Sequence, residues 1–311
     1  MNILITGNTG FVGKALIASM PTESIVAVGR QRVKEQNNTF YYKSISSTTD
    51  YSDCLIDVKT VIHTAAKVHN MTSMEPDEYY EVNTDGTLNL ARQAAKSGVK
   101  RFIFISSVKV NGESTLQGKP FLFDDPHNPF DAYGMSKSKA EIGLFDISNE
   151  TGMEIVIIRP PLIYGPDVKG NYEALLKLTL RGVPLPFGCL EYNQRSMVSL
   201  SNLIDLIITC ITHPKAVNQV FLVSDDHDVS TASMVKHMSL ALGKSCRLLP
   251  VPLWCYRLVA KVTGKTDIVD RLLGSLQVDI THTKNTLGWT PPQSLEEGFK
   301  ETAEAFLLNK N

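Results

Sequence analysis

The chain opens Met1-Asn2-Ile3-Leu4-Ile5-Thr6-Gly7-Asn8-Thr9-Gly10-Phe11-Val12-Gly13, and these residues decide the fold. Asn2 to Thr6 is a short apolar run that ends at a glycine, and a helical pattern follows from Phe11 to Met20. Gly7, Gly10 and Gly13 therefore stand at a strand-to-helix turn. Glycines there allow a tight turn, let the backbone approach a pyrophosphate and let the helix lie close to the strand. The first amides of the helix, at Phe11 and Val12, then face the phosphates, where the helix dipole favours negative charge. A glycine-rich turn that serves only close packing is the alternative reading.

The pattern that follows favours the nucleotide site. Apolar runs recur at Ser24–Gly29, Val61–Ala65, Arg101–Ser106 and Ile155–Ile158, with helical segments at Tyr79–Ser97 and Ala132–Thr151 between them. Continuous apolar strands separated by helices predict a parallel sheet covered on both faces. The expected class is α/β, a doubly wound, Rossmann-like sheet with a smaller, mostly helical C-terminal substrate lobe. The expected division is residues 1–163 for the dinucleotide and 164–311 for the substrate lobe, with a strand near 219–223 returning to the main sheet.

A length of 311 residues is enough for a large core without disulfide staples. Lys and Arg number 31 and Asp and Glu 32, so the net charge of −1 argues against nucleic acid as a partner. The five cysteines show no C-x-x-C spacing and the histidines no ligand spacing, so no metal is expected. No apolar run approaches the ~20 residues of a membrane helix and no secretory leader is visible, so the expectation is a cytoplasmic protein without a membrane partner. The apolar and basic stretch Val251–Lys265 reads as an ordinary amphipathic helix, with a surface for a membrane or a partner as the alternative.

Two further stretches concern chemistry. The second apolar run ends Val28-Gly29-Arg30-Gln31-Arg32, without the carboxylate that would hold both ribose hydroxyls. Arg30 instead suits a 2′-phosphate, so NADP(H) is favoured, with NAD(H) as the alternative. Tyr133 and Lys137 stand four apart on one helix face. A lysine ammonium beside a phenol favours the phenolate, which makes Tyr133 a candidate acid or base for a sugar hydroxyl or carbonyl. Ser107 follows an apolar strand at the sheet edge where ligands bind, and its hydroxyl can bond the same oxygen.

With these residues in place the chain resembles the extended short-chain dehydrogenase/reductases, in the branch of nucleotide-sugar epimerases, dehydratases and reductases. Further marks are His63-Thr64-Ala65-Ala66, Asn83-Thr84-Asp85-Gly86-Thr87, Phe104-Ile105-Ser106-Ser107, Arg159-Pro160-Pro161-Leu162-Ile163-Tyr164-Gly165-Pro166 and Leu287-Gly288-Trp289-Thr290-Pro291. The resemblance implies that Ser107 and Tyr133 hold the reacting oxygen, and that Lys137 tunes Tyr133 and holds the nicotinamide ribose. It further implies that Ala65 and Ala66 lie along the cofactor and that Asn83 braces the helix behind the site. For the UDP-sugar it points to Arg195 and Arg271 as phosphate ligands, Phe187 over the base and Lys109 toward the sugar. A homodimer through paired central helices is also implied.

The sequence departs from the family where dehydratases carry an Asp-Glu pair, since Val108 and Lys109 stand there. Together with Arg30 this leads to the expectation of an NADP(H)-dependent reductase of a UDP-4-keto-6-deoxy-N-acetylhexosamine in surface polysaccharide synthesis. A UDP-sugar 4-epimerase with bound NAD is the alternative, and a non-catalytic dinucleotide-binding regulator is the remote one.

Overall fold

Seven short strands, most of them with an apolar centre, assemble side by side in one parallel sheet. The structure is a computed structural model that describes residues 2–33, 38–68, 76–264 and 266–309, leaving out the side chains of Asp267, Ile268 and Arg271. The strands are β1 (Asn2–Thr6), β2 (Ile25–Gly29), β3 (Thr39–Tyr42), β4 (Val58–His63), β5 (Arg101–Ile105), β6 (Glu154–Arg159) and, after a separate two-stranded sheet of β7 (Leu162–Tyr164) and β8 (Met197–Ser199), β9 (Gln219–Leu222). Their order across the large sheet is β3-β2-β1-β4-β5-β6-β9, every pair parallel. The chain winds one way from β1 and returns to the other side of it through β4, so the carboxyl ends of β1 and β4 border the crevice in which such sheets take ligands.

Alternate residues of each strand feed opposite layers, as a pleated strand requires. Ile3, Ile5, Ile62, Ile103 and Ile105 pack on one face against helices α1 (Phe11–Ala18) and, from later in the chain, Leu200–Thr212. Leu4, Val61, Phe102 and Phe104 pack on the other, together with Leu90 and Ala94 from one helix and Ala140 and Leu144 from another. In chain order the remaining helices are α2 (Pro76–Tyr79), α3 (Gly86–Lys96), α4 (Ala132–Thr151), α5 (Asn171–Leu180), α6 (the Leu200–Thr212 helix), α7 (Thr231–Ala241), α8 (Leu253–Thr263), α9 (Thr266–Leu273), α10 (Thr281–Leu287) and α11 (Leu295–Leu308). A third apolar cluster, with Tyr164, Tyr172, Met238 and Phe299, joins α5, α7 and α11. Helix α6 and strand β9 thus come from the second half of the chain but belong to the first-half sheet.

The structure differs from the sequence pattern in several places: the Val61–Ala65 run forms a strand over Val58–His63, the β7–β8 sheet was not expected, and two further differences have a clear physical origin. Strand β3 was not anticipated because it is an edge strand with both ends exposed, Tyr42 at 73%, so it lacks a continuous apolar signature. The helix expected over Tyr79–Ser97 is interrupted by a wide turn over Tyr80–Asp85 between α2 and α3. Wide turns of this kind gather at functional sites, and this one carries Asn83.

Candidate active site

The glycine turn is shaped by contacts that leave no room for a side chain. Gly7 has φ +77°, a left-handed conformation that suits glycine, and a Cβ there would lie 2.8 Å from the Ala65 nitrogen. A Cβ on Gly13 would lie 2.2 Å from the Gly7 carbonyl oxygen, so α1 can start this close to β1 only with glycine. The N-cap Gly10 offers no side-chain hydrogen bond to α1, and the first turn holds no acidic residue. The leading amides of α1 and the positive end of its dipole are therefore available to an anion. A dinucleotide diphosphate fits this cradle.

A cavity of about 1730 Å³ runs from this turn to the end of β5. Gly10, Phe11, Val12, Gly13, Thr64 and Ala66 line one part, and Ser106, Ser107, Tyr133 and Lys137 another. The three groups singled out for proton chemistry thus share a wall opposite the glycine turn. Ala65 touches the turn from behind, through the close approach at Gly7. Arg30 is exposed just past the end of β2.

Two helical features set the wall. Asp131 caps α4 by accepting a hydrogen bond from the Gly134 amide at 2.7 Å, and this fixes the first turn on which Tyr133 sits. Tyr79 packs edge-on against the Tyr133 ring with centroids 6.4 Å apart. Burial and the Asp131 charge push the Tyr133 phenol up to about 12, and a hydrogen bond with Ser107 opposes the rise. Burial pushes Lys137 down to about 7, against the pull of Glu141. The Lys137 ammonium donates to the Ile105 carbonyl at 2.9 Å and lies 4.3 Å from the Phe104 ring centroid. The spacing implied a Tyr133 lowered by Lys137; here burial dominates and raises the phenol instead.

Asn83 acts from the wide turn. Its Oδ1 accepts from the Lys67 amide at 2.7 Å, while its Nδ2 donates to the Lys67 carbonyl at 3.0 Å and to Ser136 Oγ at 3.1 Å. One buried amide thereby ties the segment after β4 to the helix of Tyr133. His63, fully buried, is bonded to Thr6 Oγ1 at 2.7 Å and Thr87 Oγ1 at 3.0 Å. Burial, with a smaller push from Lys137, lowers it to about 3, so it is a neutral structural brace at working pH.

Sequence reasoning missed the buried charge network beneath this wall. Glu141 receives Ser106 Oγ–H on Oε1 and the Arg159 guanidinium on both oxygens, with Arg159 Nη2 to Oε2 at 2.6 Å. Arg159 also donates to Asn111 Oδ1 at 3.1 Å, and its Nη2 meets His127 Nε2 at 2.6 Å. The available signal was spacing, since Glu141 is one turn beyond Lys137 on the same helix face. Its partners come from β6 and the loop before α4, which spacing alone does not reveal.

The expected substrate contacts are more scattered. Lys109 is held between Glu113 and Asp131, two carboxylates that account for its charge. Phe187 is half-buried. Arg195 is half-buried too, its Nη1 donating to the Gly274 carbonyl at 3.4 Å. Lys109, Phe187 and Arg195 are not among the residues lining the large cavity. The side chain of Arg271 lies outside the described residues. Among the described residues no group of His, Cys, Asp and Glu is arranged to hold a metal, and no helix is long and apolar enough to cross a membrane.

Comparison with known proteins adds relatives to this geometry. Residues 3–224 match the model of the NAD dependent epimerase/dehydratase family. A UDP-glucose 4-epimerase of Vibrio cholerae is 55% identical over 317 residues, covering 100% of this chain and 97% of that protein. An N-acetyl-α-D-glucosaminyl-diphospho-undecaprenol 4-epimerase of Escherichia coli O157:H7 is 29% identical, covering 97% of this chain and 94% of that one. Among solved structures, the UDP-glucose 4-epimerase of Thermotoga maritima with UDP-glucose superposes at TM-score 0.80 and 25% identity, covering 100% of both chains.

Proposed function

The chain belongs to the NAD dependent epimerase/dehydratase family, and we propose that within it the protein is a UDP-sugar 4-epimerase working with NAD. The observation that carries this reading is the placing of Ser107, Tyr133 and Lys137 on the cavity that also takes in the glycine turn. The net reduction expected from Arg30 and Val108–Lys109 gives way to its alternative. The V. cholerae relative bears the name of an epimerase, and the family description names NAD. Arg30 was read for the charge of the adenosine 2′ position, and that charge does not decide whether a hydride taken from the sugar is returned to it.

When bound, NAD supplies the acceptor and donor of hydride for C4 of the sugar. Gly7, Gly10 and Gly13 with the Phe11 and Val12 amides would hold its diphosphate, and Ala65 and Ala66 would lie along it. Ser107 Oγ would hold the C4 oxygen. Tyr133 would take the proton from that hydroxyl and return it to the same oxygen, so one phenol serves both directions of an inversion. In the buried wall the phenol holds its own proton tightly; the phenolate is the form that would take the C4 proton, and Lys137 would hold the nicotinamide ribose. Arg195, Arg271 and Phe187 remain the proposed contacts to the diphosphate and base. Two copies pairing through α3 and α4, which leave Ile142 54% exposed, is proposed as the assembly.

The test is incubation of the purified protein with UDP-glucose, and separately with UDP-N-acetylglucosamine, followed by proton NMR. The C4 epimer should appear in at least one case without consumption of added NADPH. Absence of both epimers, with NADPH consumed on a UDP-4-keto sugar, would restore the reductase.

A further inference from the structure

Helix α8 presents an apolar stripe to solvent. Trp254, Leu258 and Val262 follow one another at intervals of four and are 65%, 55% and 78% exposed. Its opposite side is the packed one, where Ala260 is 3% exposed. Beside the stripe, again four apart, stand Arg257 and Lys261, both exposed, and among the described residues neither has a carboxylate partner. The surrounding sequence is just as one-sided. From Val229 to Thr266 it carries Lys236, Lys244, Arg247, Arg257, Lys261 and Lys265 and no Asp or Glu, in a chain whose net charge is −1. Of these, Lys236 is paired to Glu191.

We propose that this face of α8 docks on the surface of an anionic phospholipid bilayer, with Trp254, Leu258 and Val262 entering the headgroup–acyl boundary and Arg257 and Lys261 meeting lipid phosphates. An indole at the boundary, aliphatic side chains below it and cations beside it form the pattern of a helix that lies in the interface plane. Charge selects this occupant over a second copy of the chain. Two antiparallel copies meeting through α8 about a two-fold axis across the helix would bring each cationic edge close to the other. An anionic membrane is attracted to that same edge, at roughly 1 kcal/mol per cation or about a five-fold gain in affinity each. None of the α8 residues lines the large cavity, so docking leaves that cavity clear. Docking of this kind needs no spanning helix. The surface alternative for Val251–Lys265 is the one this geometry favours.

The experiment is co-sedimentation of the full chain with vesicles of phosphatidylglycerol and phosphatidylcholine in equal parts, and with phosphatidylcholine alone. Trp254 provides a second readout. The other tryptophan, Trp289, is 6% exposed with its indole N–H donated to Asp205, so a blue shift of emission reports α8. The chain should sediment with the anionic vesicles at low salt, shift its emission, and bind phosphatidylcholine alone far less. R257Q/K261Q should weaken binding about thirty-fold, and L258D should abolish it while leaving the melting temperature in place. Failure to sediment with the anionic vesicles, or undiminished binding by L258D, would overturn the proposal. So would an oligomer in sedimentation velocity that L258D dissociates, because a second copy would then be the occupant. None of these outcomes depends on which sugar the cavity takes.

Discussion

Helix α4 encloses Lys137 and Glu141 at 1% exposure each and leaves Ile142 at 54%, whereas α8 encloses little and leaves Trp254 at 65% and Val262 at 78%. Both depart from the rule that a surface helix turns its apolar stripe inward. In α4 the departure is polar groups inside, and those groups are met by partners from the same chain: Ile105 for Lys137, Arg159 and Ser106 for Glu141, His127 for Ser138. In α8 it is apolar groups outside, and the described chain offers them no cover. Departures from local consistency gather at functional places. In these two helices the direction of the departure indicates where the partner lies. A buried polar face is completed from within, and an uncovered apolar face points to something beyond the chain.

The comparison breaks first at Tyr133. Tyr133→Phe keeps the ring and its packing against Tyr79 but removes the proton carrier, and turnover should fall about 100- to 10,000-fold with NAD binding retained by calorimetry. Equal activity in the variant would remove the phenol from the chemistry. Next comes the polar interior of α4. Glu141→Gln leaves the Arg159 guanidinium buried against a neutral amide, and chemical denaturation should register a loss of about 3–5 kcal/mol. A loss below about 1 kcal/mol would mean that the pair contributes little beyond its volume.

A smaller effect follows from His63. Its pKa is lowered to about 3 in the folded protein, while the unfolded imidazole takes up its proton near 6.5. The unfolded state therefore binds more protons between those values. The His63 contribution is at full strength above about 6.5 and is lost progressively as pH falls toward about 3. By pH 5 the loss is about 2 kcal/mol at 1.36 kcal/mol per unit. His63→Asn should flatten that part of the stability–pH curve, and an unchanged slope would assign the acid sensitivity to other groups. The smallest effect sharpens the contrast with α4. Leu258→Asp on the outer face of α8 should change stability by no more than about 0.5 kcal/mol.

Much of this was legible in the sequence because it is local. The glycine turn lies within Gly7–Gly13, and the Tyr133–Lys137 pair lies within one helical turn. Helix α4 runs over Ala132–Thr151, the range expected from the sequence, with Asp131 as cap and Gly152 in the left-handed conformation that ends it. What spacing could not show was long-range. Lys109 looks free to point at a sugar until folding brings Asp131 to it from 22 positions away. Arg159 and Glu141 each look like ordinary surface charges until β6 and α4 are packed together. Strand β3 escaped because an edge strand needs only one apolar face. The choice between reduction and epimerisation was not legible there, because the charge of Arg30 bears on one corner of the adenosine and not on the fate of a hydride.

The central claim is that the hydrogen on C4 leaves and returns within this cavity, with Tyr133 moving the proton of the attached oxygen. It is tested most directly with a UDP-sugar deuterated at C4. The epimer should form with its deuterium still on C4 and with no stoichiometric reduced cofactor released. Product that carries ordinary hydrogen at C4, or deuterium accumulating in free reduced cofactor, would contradict it.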